Sequence, residues 1–84
     1  MYKVLLSRRS EKQINVLSVE VKNRVLEKLK MLAKNPLPGD VIKLKGAHNR
    51  YRLRVGDYRI IYDIVKKAVT ILVLTVCHRK ENYR

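Results

Sequence analysis

The 84 residues carry 20 Lys and Arg against 7 Asp and Glu, a formal charge of +13, with 46% hydrophobic residues, five Tyr and neither Trp nor Phe. So short a chain has room for one small aliphatic core and is expected to form a single domain over residues 1–84. A two-domain enzyme and a large cofactor cradle are excluded. Positive charge at this density selects polyanions as partners: nucleic acid, an acidic protein or an anionic membrane.

Tyr2 to Leu6 reads as a short strand. Ser7 or Ser10 is placed to cap a short helix reaching about Leu17, and Ser10-Glu11-Lys12-Gln13 has capping-box spacing. Ser18 caps a second helix, which runs to about Lys34. Val21, Val25, Leu29 and Leu32 form its buried stripe at intervals of three and four. Asn35-Pro36-Leu37-Pro38-Gly39-Asp40 stops that helix, because proline lacks an amide donor and disfavours helical backbone before it. The two helices are expected to pack as a hairpin.

The period then changes from 3.6 to 2. Val41 to Leu44 is a short strand. Asn49 to Val55 sets Tyr51, Leu53 and Val55 on one face and Arg50, Arg52 and Arg54 on the other. Gly56-Asp57 turns the chain into a partner strand, Tyr58 to Val65. Lys66-Lys67 turns it again. Ala68 to Val76, rich in β-branched residues, reads as a central strand. The order β-α-α-β-β-β-β predicts an α+β domain: an antiparallel sheet with a two-helix hairpin packed on one face.

Cys77 is the only cysteine, which rules out a disulfide within the chain and speaks against a cysteine-based zinc site. With two isolated His besides, no metal or other cofactor is expected. The longest apolar run is about half of the ~20 residues a membrane helix needs. The N-terminal apolar stretch is too short for a signal peptide. A cytoplasmic protein without a membrane partner is expected.

Residues 43–84 hold 11 Lys and Arg against 3 Asp and Glu, so the sheet half is the more basic. Arg50, Arg52 and Arg54 alternate along one strand, and Arg59 lies across the turn. Like charges opposed in a sheet are destabilising, and an anion among them relieves the repulsion. The guanidinium fork suits phosphate. Tyr51, Tyr58, Tyr62 and Tyr83 interleave with these arginines; their rings offer stacking surfaces for bases, although Tyr51 and Tyr62 fit a core role better. His48 reads as a loop residue. His78, at the end of the last strand, is a possible general base.

Three segments together resemble the RelE/ParE superfamily of toxin–antitoxin toxins. They are Lys43-Leu44-Lys45-Gly46, the run from Tyr51 through Gly56-Asp57 to Tyr62, and Val76-Cys77-His78-Arg79-Lys80-Glu81-Asn82-Tyr83. The likeness is greater to the RelE branch, short archaeal-type members included. It implies a fold like that of microbial ribonucleases and a ribosome-dependent endoribonuclease that cuts mRNA in the A site. A ribose 2′-OH attacks the adjacent phosphate in that reaction, and no metal is required. By the same resemblance the catalytic set falls on Arg52, Arg54, Arg59, Arg79 and Tyr83. Lys43, Lys45, Arg50, Lys80 and Arg84 are expected to bind RNA phosphates. The implied partners are a cognate acidic, RelB-like antitoxin in a hetero-oligomer, and the ribosome with its 16S rRNA and mRNA.

The sequence departs from the family at the strand pair, which is lysine in well-known RelE members and arginine here, at Arg52 and Arg54. Arginine stays protonated, so the base falls to His78, Tyr83, water or a ribosomal group. Two other functions fit parts of the chain: a ParE-like toxin that inhibits DNA gyrase, and a non-catalytic basic protein that binds RNA or the ribosome.

Overall fold

Ser7 ends the first strand and starts the first helix. Its side-chain oxygen accepts from the Ser10 amide at 3.1 Å, which satisfies one of the helix's free donors. In the computed structural model, which describes residues 1–80, β1 is Lys3–Leu6, α1 is Arg8–Asn15 and α2 is Val19–Lys34. Strand β2 is Ile42–Lys43, β3 is Arg50–Val55, β4 is Tyr58–Val65 and β5 is Thr70–His78. Glu81, Asn82, Tyr83 and Arg84 lie outside the described residues.

The five strands form one sheet in the order β1-β5-β4-β3-β2. The fold is α+β as expected, and the sheet is mixed rather than wholly antiparallel. β1 pairs parallel with β5, from Lys3↔Thr70 to Leu6↔Val73, while the other three pairings are antiparallel. Alternation shows which side chains face the core. It carries no direction for two strands so far apart in sequence.

Strand β1 stops at Leu6, but β5 continues to His78. Helix α1 takes over along that free edge. The Ser7 amide and the Ser10 hydroxyl both donate to the Val73 carbonyl, at 2.9 and 3.0 Å. The Ser7 hydroxyl donates to the Leu74 carbonyl at 2.9 Å, and Gln13 Oε1 accepts the Val76 amide at 2.6 Å and the Thr75 hydroxyl at 3.0 Å. Ser10 and Gln13, which have capping-box spacing, therefore bond to the sheet, with the Ser10 hydroxyl shared between Val73 and the Ser7 carbonyl at 3.0 Å each; Ser7 is the cap. Buried backbone groups need partners, and here side chains replace a missing strand. Register shifts between Ile61 and Tyr62, whose partners are Thr75 and Val73, so Leu74 is the extra residue of a bulge in β5.

One face of the sheet is covered by the helices. Ile14 from α1 and Val25, Leu29 and Leu32 from α2 meet Leu53, Val55, Ile60, Tyr62, Ile64, Ile71, Val73 and Val76. The stripe expected on α2 is the one buried, with Val21 partly so. Ser18 caps that helix, accepting from the Val21 amide. Tyr62 is fully buried and its hydroxyl donates to the Pro36 carbonyl at 2.7 Å, which ties the loop after α2 to the sheet. Burial, then neighbouring Tyr51, then the Asp40 carboxylate push its ionisation well above the usual phenol range.

A cationic cleft on the open face of the sheet

The arginines lie on the face away from the helices, because they alternate with Leu53 and Val55 along β3. Cross-strand register sets them in rows. Arg54 stands directly opposite Arg59, which in turn pairs with Cys77. The next row runs Ile42, Arg52, Ile61, Thr75. Ile61 and Cys77 are buried outside the helix-side cluster and give this face an apolar floor. Gly56 takes a φ of 58° in the hairpin turn, a backbone shape glycine adopts without a Cβ clash.

Arg52, Arg54 and Arg59 line one cleft of about 520 Å³ with Asp40, Ile42 and Gly56. Among the described residues none of the three guanidinium groups has a carboxylate within ion-pair distance. Two arginines face each other across adjacent strands with no carboxylate close enough to pair, an arrangement that favours a bound anion. Arg79 joins the same end of the sheet. Its amide donates to the Asp57 carbonyl at 2.7 Å, and its Nε lies 3.7 Å from Asp57 Oδ1.

The other candidate residues fall elsewhere. Arg50 shares the open face but is held by Asp63 in a two-pronged pair, Nε to Oδ1 at 2.8 Å and the second nitrogen to Oδ2 at 3.1 Å. Its fork is already filled by a carboxylate. His78 pairs with Tyr58, not with the row of Arg59, so it belongs to the helix-side face. Its ring packs edge-on against Tyr58 at 5.2 Å, and Nδ1 accepts the Lys80 amide at 3.2 Å. A base for the cleft is not found there. Tyr51, Tyr58 and Tyr62 share that helix-side face, and Tyr51 stacks on Tyr62 at 6.0 Å. These three rings therefore do not interleave with the arginines.

Lys43 sits opposite Tyr51 and lines a separate groove with His48, Lys66 and Lys67. Lys45 and Lys80 are exposed in turns. Tyr83 and Arg84 fall outside the described residues. Asp40 is the cleft residue that the sequence reading passed over. It precedes the first paired residue of β2 and belongs to no periodic segment. Carrying the pairing Ile42↔Arg52 back by two residues would have set it beside Arg54.

Comparison with known proteins adds a family to this geometry. Residues 4–83 match the profile of the ParE toxin of type II toxin–antitoxin system, parDE. The chain belongs to the RelE/ParE family of toxins. Its fold is RelE-like. The archaeal RelE of a RelE–RelB complex from Pyrococcus horikoshii OT3 is 34% identical, with a TM-score of 0.84 over 96% of this toxin and 98% of that chain. The isolated E. coli RelE toxin, at 21% identity, shares the fold with a TM-score of 0.86 over 98% of this toxin and 88% of that chain. The curated toxin RelE3 of Methanocaldococcus jannaschii is 47% identical over 49 residues, 58% of this toxin. The match covers about half, 53%, of that relative's length.

Proposed function

We propose that residues 1–84 act as a single toxin domain, a ribosome-dependent endoribonuclease that cuts mRNA in the A site and stops translation in the cytoplasm. The observation that carries this reading is the cleft itself, with three guanidinium groups around a space of about 520 Å³ and, among the described residues, no carboxylate within ion-pair distance of them. Attack of a ribose 2′-OH on the adjacent phosphate gathers negative charge on the phosphoryl oxygens. Cations already in place stabilise that charge without rearranging. Arg52, Arg54 and Arg59 surround the phosphate in this scheme, and Arg79 closes over it from the end of β5. Lys45, Lys80 and Arg84 add contacts to the RNA backbone.

The antitoxin is a RelB-like acidic protein. The charge of +13 calls for such a partner, and related RelE toxins from Pyrococcus horikoshii and Methanococcus jannaschii were solved with RelB bound. Toxin and antitoxin form a hetero-oligomer in which the cleft is neutralised.

The test is cleavage of one mRNA on programmed ribosomes and free in solution, mapped by primer extension. Wild-type toxin is expected to cut within the A-site codon only when ribosomes are present. Arg79→Ala is expected to lose ~10²-fold in cleavage, the scale of losing one transition-state donor. Absence of cuts by folded wild-type toxin sinks the reading. Inhibition of DNA gyrase, the activity of the ParE branch whose name the family profile bears, is then the next assay.

A further inference from the structure

Among the described residues, four side-chain charges line the cleft: three guanidinium groups and the carboxylate of Asp40. A site that only bound phosphate would gain nothing from that carboxylate, which repels the ligand. A site that breaks RNA needs a group to take the 2′-hydroxyl proton, and arginine cannot do so. His78 is on the other face of the sheet. We propose that Asp40 is the general base of the cleft. The inference rests on the endoribonuclease reading and extends it to proton transfer.

Asp40 meets the geometric demands of the role. Val41 donates to the Pro38 carbonyl at 3.2 Å, closing a turn just before β2. Pairing of Ile42 with Arg52 then fixes the strand onto the sheet. Asp40 lies in that turn, two residues before Ile42, and lines the same cleft as Arg52, Arg54 and Arg59. It is exposed, and no ion pair among the described residues engages its oxygens. The groups around it are Arg52 and Arg54 from β3, Arg59 from β4, and the buried phenol of Tyr62 behind the loop.

The proton balance is simple. The 2′-O–H bond breaks and its proton passes to the Asp40 carboxylate. The 2′-oxygen electron pair forms the new bond to phosphorus, and the P–O5′ bond breaks. The departing 5′-oxygen takes a proton from water, and Asp40 returns its own proton to solvent. The products are a 2′,3′-cyclic phosphate and a 5′-hydroxyl.

The experiment measures single-turnover cleavage on programmed ribosomes for wild type, Asp40→Asn, Asp40→Glu and Asp40→Ala, with ribosome affinity and thermal melting alongside. Asp40→Asn is expected to lose ~10²-fold or more in rate, within the range for acid–base catalysis. Its affinity should be equal or tighter, because a negative charge is gone. Asp40→Glu retains more of the rate than Asn. The wild-type rate falls as acid protonates the carboxylate, and Asp40→Asn lacks that limb. Formate restores part of the Asp40→Ala rate, while chloride at equal ionic strength does not. An Asp40→Asn rate within about threefold of wild type overturns the proposal, as does a rate loss matched by lost affinity or lost melting. If wild type itself does not cut, the endoribonuclease reading fails and the base falls with it; if wild type cuts and Asp40→Asn cuts equally, only the base assignment fails.

Discussion

The two faces of the sheet are built from the same strands and obey opposite rules. On the helix side, Leu53, Ile60, Tyr62 and Val73 are fully buried and fit one cluster. On the open side, one residue away along β3, Arg52 and Arg54 have no carboxylate in ion-pair range among the described residues, and Arg54 faces a like charge. The first face holds the fold together; the second weakens it, since Arg54 and Arg59 repel each other directly. A two-residue repeat lets one strand carry both tasks with little interference.

Substitution of neighbours on β3 gives the sharpest test of that division. Leu53→Ala is expected to remove ~2–5 kcal/mol of stability, a large share of what a domain of this size holds, and to lower the thermal midpoint steeply. Arg52→Ala, one residue earlier, should change stability by under ~0.5 kcal/mol while cleavage falls ~10²-fold. If Arg52→Ala melts like Leu53→Ala, the two faces are not separable.

A smaller effect concerns the Tyr62 latch. Tyr62→Phe loses the bond to the Pro36 carbonyl and should cost ~0.5–1.5 kcal/mol at neutral pH, measured by denaturant titration. The folded protein holds the phenol proton more tightly than the unfolded chain, whose phenol titrates near 10.0. Unfolding then releases a proton above that pH, so this contribution is full below pH 10 and declines as pH rises further. Tyr62→Phe should flatten the alkaline decline.

The smallest effect has the opposite sign. Arg59→Gln relieves the repulsion with Arg54 and should stabilise the free toxin by ~0.2–1 kcal/mol in low salt. The gain should shrink as salt screens the pair, and cleavage should drop. A destabilised Arg59→Gln would mean that the arginines support the fold.

Much of the fold was legible because its signals are local. Ser18 caps α2 as its sequence suggests, and the stripe Val25, Leu29, Leu32 is the buried one. Alternation from Arg50 to Val55 separated core from cleft. The parallel partnership of β1 with β5 was not legible, since Lys3 and Thr70 meet across nearly the whole chain. Nor was the side of the sheet that His78 takes. That depends on register counted back through the Leu74 bulge to Tyr58. Asp40 was missed for a related reason: a loop residue carries no period, and only the pairing of Ile42 reveals its neighbours.

Strand β5 is strongly apolar, and beyond Val73 no strand of the described residues pairs with its outer side. A bare edge of that composition is a template for pairing with other chains, and so for aggregation. Ser7, Ser10 and Gln13 remove the template by occupying the carbonyls of Val73 and Leu74 and the amide of Val76. Three polar side chains at the start and in the middle of one segment thereby close an edge that would otherwise be open to strand pairing.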